Sequence, residues 1–84
     1  MKDLLLKENN TMILTSLLHS KKAVYVSALS KEINYTYSHL VKVLQEMERK
    51  NLVEFEKHGR MKVIELTDKG KKVAESIEKI KELL

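Results

Sequence analysis

The sequence predicts a mainly α-helical domain that carries one small β-hairpin. Two observations predict it. Apolar residues recur at three- and four-residue steps over 3–50 and again over 68–84, but alternate with a period of two over 52–66. Serine, threonine and asparagine stand where those runs begin and end, and there is no proline.

The first helix spans residues 3 to 19, with Leu6, Ile13, Leu14, Leu17 and Leu18 on its apolar side. Asn9-Asn10-Thr11 interrupts it, and Thr11 can cap a second piece, so two starts are open. Ala23-Val24-Tyr25-Val26 is β-branched and short, a strand or an extended link. Ser27 then caps a two-turn helix in which Leu29 and Ile33 share one face. Asn34 tolerates the left-handed conformation that closes it.

Thr36 is the next cap, and a long helix runs from Tyr37 to Lys50 with Leu40, Val43, Leu44 and Met47 inward. Tyr35 and Leu40 take the places of a hydrophobic staple around Thr36. Asn51 suits the position after the helix. In the hairpin Val53, Phe55 and Lys57 point one way and Leu52, Glu54 and Glu56 the other, with His58-Gly59 at the turn. Thr67 caps a last helix, 68–84, and Asp68 sits favourably at its positive end.

The 84 residues leave room for one domain, 1–84. A chain this short buries only about 60–65% of its unfolded surface. The absence of cysteine excludes a disulfide framework, a thiolate zinc site and a cysteine nucleophile. No apolar run approaches 18 residues, and Leu4-Leu5-Leu6 is too short for a signal-peptide core, so a cytoplasmic protein with no membrane partner is expected. His19, His39 and His58 fall in different elements without metal-ligand spacing, no Ser/His/Asp grouping converges, and Gly59 and Gly70 form no phosphate loop. Neither an enzyme nor a cofactor is expected.

Charge is unevenly placed. Residues 57–72 hold six bases, Lys57, Arg60, Lys62, Lys69, Lys71 and Lys72, against Glu65 and Asp68, an excess equal to the whole chain's +4. That points to a polyanion, although a solvated lysine surface has the same composition. The two helices around Asn34-Tyr35 have helix-turn-helix spacing, over about 27–50. The outward side of the second carries no acid in its N-terminal half, and Glu46 and Glu48 follow later. At about 1.5 Å per residue this helix is long enough to cross a major groove roughly 12 Å wide.

The run from Ser27 to Gly70 resembles the winged helix-turn-helix of the MarR-type transcription regulators. Leu29-Ser30-Lys31-Glu32-Ile33 resembles its first helix, Thr36 through Val53 its recognition helix leading into the wing, and Ile64-Glu65-Leu66-Thr67-Asp68-Lys69-Gly70 its "hydrophobic-x-Leu-Thr-x-x-Gly" junction. Asparagine at 51 replaces the family's usual glycine. The resemblance implies a dimeric repressor or activator that binds double-stranded DNA, with a wing over about 52–66. It carries no expectation of a small-molecule effector, because the long flanking helices that shelter one are mostly missing. Under it, Tyr37, Ser38, His39, Val41, Lys42 and Gln45 face the major groove. Gln45 suits adenine, Lys42 guanine or phosphate, and Val41 a thymine methyl. Thr36 and Ser38 hold phosphates. Lys57, His58, Arg60 and Lys62 follow the backbone or the minor groove, and Lys21 and Lys22 add phosphate contacts.

Val73, Ile77, Ile80 and Leu84 make a short apolar seam on the last helix. The seam can fold onto the first helix or meet a second copy. A symmetric dimer is favoured, because so small a domain has little else to cover it. Two other functions use the same fold: an architectural or nonspecific DNA binder, and a winged helix that contacts only protein.

Overall fold

The computed structural model describes residues 4–5, 7–20 and 22–84. Its elements are α1 (Glu8–His19), β1 (Val24–Tyr25), α2 (Val26–Ile33), α3 (Tyr37–Arg49), β2 (Val53–His58), β3 (Met61–Leu66) and α4 (Asp68–Leu83). This is the mainly helical, hairpin-bearing architecture that the sequence predicts. No helix among the described residues is long and apolar enough to cross a membrane.

The first helix departs from expectation. It begins at Glu8, with Lys7 in the cap position, and Thr11 lies inside its first turn. The Thr11 hydroxyl donates back to the Glu8 carbonyl instead of capping. The Asn-Asn-Thr stretch is not a break because Asn10 turns inward, 3% exposed. Its Nδ2 donates to the Leu4 carbonyl at 2.8 Å, and its Oδ1 accepts from the Tyr35 hydroxyl at 2.8 Å. A buried amide is tolerable only when so partnered. Leu6 and Lys21 lie outside the described residues.

Ser27 does not cap α2. The helix starts one residue earlier, at Val26, and no side chain caps it. Pairing of Tyr25 with Val63 fixes the residue before it in an extended conformation, and the fully buried Val26 must turn inward at once. Asn34 ends α2 in the left-handed region, φ 65°, as its residue type predicts.

Residues 24–25 are a true strand, the third of an antiparallel sheet ordered β1-β3-β2. Register pairs Val53 with Leu66, Phe55 with Ile64, Lys57 with Lys62 and His58 with Met61. Lys57 and His58 therefore belong to β2, and the turn is Gly59-Arg60. Gly59 has φ 66° and Arg60 does not have a positive φ, the pattern of a two-residue type II′ turn.

Ile13, Leu14 and Leu17 from α1, Val26, Leu29 and Ile33 from α2, Leu40, Val43, Leu44 and Met47 from α3, and Leu52, Val53, Ile64 and Leu66 from the hairpin form one core. Each fully buried Leu, Ile or Val adds roughly 1.5–3 kcal/mol of hydrophobic stabilisation. α4 lies against α1, with Ala74 in the core and Val73 and Ile77 packed on it, and His19 Nε2 stands 2.6 Å from Glu78 Oε2.

Candidate nucleic-acid interface

The α3 sequence decides which side is inward. Four buried residues at steps of three, one and three occupy one stripe, so the rest of the helix is left to solvent. Thr36 Oγ1 accepts from the His39 N–H at 3.3 Å and caps the start, and the first turn holds no acid. The remaining N–H groups there carry a partial positive charge into solvent, where a phosphate is favourable.

Thr36, Tyr37, Ser38, His39, Lys42 and Gln45 are all exposed, Tyr37 by 47%. Val41 differs: it is partly buried and packs on the core, so only one side of it is open. His39 stands at one margin, its ring edge-on to Tyr35 at 4.4 Å. Gln45 faces the hairpin and lines a groove with Glu48, Phe55, Glu56, Lys57 and Lys62 between α3 and the hairpin. Ser38, Lys42, Gln45 and Arg49 follow at steps of four, three and four, which puts them on one row opposite the buried stripe. Arg49 lies beyond the N-terminal half to which the resemblance assigns groove contacts, and the four-residue step from Gln45 is the sequence signal that puts it on the same row.

The hairpin has two unlike faces. Phe55, Lys57 and Lys62 share the face toward α3, and Lys62 Nζ lies 5.9 Å from the Phe55 ring centroid. Glu54, Glu56 and His58 alternate to the other face, where His58 Nε2 is 3.5 Å from a Glu56 oxygen. His58 therefore does not share the side of Lys57 and Lys62. Lys57 and Lys62 sit directly opposite one another, a like-charge pair that costs the hairpin stability. Among the described residues the ion pairs are His19–Glu78 and His58–Glu56. Lys42, Arg49, Lys57, Arg60 and Lys62 join none. Lys22 is exposed near the start of β1. No group of three or more His, Asp or Glu among the described residues is placed to hold a metal ion.

A clamp holds α3 in position. The carbonyls of three successive residues past its end are engaged by the start of α4. Lys69 Nζ donates to Lys50 O at 2.9 Å, the Thr67 hydroxyl to Asn51 O, and the Thr67 N–H to Leu52 O at 3.1 Å. Asn51 itself adopts φ 62°. Of the predicted seam, Val73 and Ile77 lean on their own chain's core, while Ile80 and Leu84 are 58% and 99% exposed.

Residues 7–78 match the family model described as the DUF6293 C-terminal winged helix domain. The crystal structure of AF1382 from Archaeoglobus fulgidus superposes with a TM-score of 0.88 at 32% identity, covering 96% of this chain and 92% of that one. Regulators of the MarR type are structural neighbours. The MarR family transcriptional regulator SPO1453 from Silicibacter pomeroyi has a TM-score of 0.79 at 22% identity, covering 92% of this chain and 55% of its own. MepR of Staphylococcus aureus, in its complex with DNA, has a TM-score of 0.83 at 22% identity, covering 96% and 68%. At that identity the likeness is one of fold: a mainly helical winged helix with a three-stranded antiparallel wing and a C-terminal helix.

Proposed function

The chain belongs to the family of DUF6293 C-terminal winged helix domains, and from that premise we propose that it is a dimeric, DNA-binding transcription regulator. α3 enters the major groove, and the wing follows the phosphate backbone or the adjacent minor groove. One observation carries the reading. An acid-free, exposed helix start lies beside a wing whose Lys57 and Lys62 oppose each other with no carboxylate ion-pair partner among the described residues. Uncompensated like charge is a stability cost that a polyanion removes on binding.

Each side chain then has a chemical role. Thr36, Ser38 and the helix N–H groups hold phosphates. Gln45 and Lys42 present the donors and acceptors that read adenine and guanine edges. Tyr37, Val41 and His39 offer apolar and edge contacts at the margins. Lys57, Arg60 and Lys62 neutralise backbone charge. His58, paired with Glu56, contributes from the far side of the wing.

Selection of bound sites from random duplex DNA tests the proposal. A regulator enriches a palindrome with half-sites about one helical turn, roughly 34 Å, apart. Binding without any enriched sequence identifies an architectural protein. No binding even at low salt identifies a protein-interaction module and removes the DNA reading altogether.

A further inference from the structure

Arg49 is the one base on the outward row of α3 to which the proposed function gives no role. It stands eleven residues after Ser38, about 16 Å along the helix axis. That exceeds the roughly 12 Å width of a major groove. With its start anchored on one groove wall and its axis laid across the groove, the helix reaches the opposite wall at Arg49, beyond the base edges, where phosphate oxygens are the available partners.

Three features of the chain fit that contact. Arg49 is exposed and forms no ion pair among the described residues, although Glu46 is only one turn back. Its neighbours on the row, Gln45 and Lys42, carry no negative charge to repel a phosphate. The next residue, Lys50, has its carbonyl bound by Lys69 Nζ at 2.9 Å, so the helix end is pinned and the guanidinium projects from a fixed base. A planar fork of donors on a fixed base suits two phosphate oxygens at once, and little freedom is lost in making the contact.

We propose that Arg49 is a phosphate-binding residue that anchors the C-terminal end of α3 to the strand opposite the one held at Thr36 and Ser38, and so sets how the helix lies in the groove. This rests on the DNA-binding reading. An arginine at a helix C-terminus also complements the helix dipole, and that effect alone predicts a change in melting without a change in how DNA is held.

The test uses the full chain, its R49A and R49K variants and a duplex recovered by site selection. Affinity is measured over a series of KCl concentrations, and phosphate-ethylation interference is mapped on both strands. R49A is expected to bind about tenfold more weakly. Its log–log salt slope should fall by about 0.9 for each protomer, and interference should vanish at phosphates of one strand within each half-site. R49K should keep the slope and recover part of the affinity. A wild-type slope and an unchanged interference pattern in R49A overturn the proposal. If the wild-type chain binds no duplex, the DNA-binding reading itself fails, which is a separate result.

Discussion

A Cβ atom placed on Gly70 would stand 1.9 Å from the carbonyl oxygen of Leu52 and 3.1 Å from a Leu66 methyl carbon. The start of α4 is pressed against the backbone that follows α3, and only a residue without a side chain permits it. The offending atom is main chain, so it cannot swing away. Gly70→Ala must push α4 outward, lengthening the Thr67 and Lys69 hydrogen bonds to residues 50–52. A destabilisation of about 2–3 kcal/mol is expected from overpacking of this kind, read as a lowered midpoint in urea. A variant as stable as the wild type would show that α4 is not seated as described.

Asn10 and Tyr35 make a second tie, joining α1 to the turn before α3. Tyr35→Phe leaves Asn10 Oδ1 without its donor inside the protein and should cost about 1–2 kcal/mol. Asn10→Ala removes both of its bonds and should cost at least as much. Together the changes should cost less than their sum, because each alone strands the other's partner. Strict additivity in thermal or urea unfolding argues that the two side chains do not touch.

Asn10 also marks where reading the sequence stops working. The apolar spacing of Leu40, Val43, Leu44 and Met47 assigns the inward side of α3 outright, and the outward residues follow by subtraction. Thr36, Asn34 and Asn51 are legible because capping and positive φ demand particular residue types. Asn10 carries no such mark: an amide among polar neighbours looks like an interruption, and its partner is 25 residues away. The start of α2 at Val26, not after Ser27, depends on strand pairing with Val63, which no local pattern encodes. The clamp on residues 50–52 engages carbonyls, and every residue type has one. Only Gly70 betrays it.

The opposed lysines of the wing set two properties against each other. Lys57→Ala with Lys62→Ala removes a like-charge cross-strand pair, so fold stability should hold or rise by a few tenths of a kcal/mol. DNA affinity should fall on every sequence alike, and the salt slope should drop by about 0.9 for each phosphate no longer neutralised. A weakening confined to one sequence would reassign these residues from the backbone to base reading.

Gln45 behaves differently under the same assay. It lies on the outward row of α3 and at the mouth of the groove beside Phe55 and Lys62. Gln45→Ala should cost about 1–3 kcal/mol at one base position and little elsewhere. Repeated site selection with the variant shows this as relaxed preference at a single position in each half-site. An equal loss on all duplexes strikes it from the base-reading set.

The apolar seam of α4 is split by its own packing, and that decides how a dimer should be tested. Val73 and Ile77 are partly buried against their own chain, so an aspartate there confuses unfolding with dissociation. Ile80, Leu83 and Leu84 are exposed and lie outside the core, so making them polar costs little packing within their own chain. Ile80→Asp with Leu84→Asp should therefore leave the circular-dichroism melt of the fold in place. Sedimentation should show the wild type as a dimer and the double variant as a monomer at the same concentration. Two linked half-site contacts exceed one by roughly 10²–10⁴ in apparent affinity, so the monomer should lose most of its binding to a palindrome but not to an isolated half-site. A variant that still sediments as a dimer moves the interface away from the end of α4. A monomeric wild type removes the dimer and, with it, the requirement for palindromic sites.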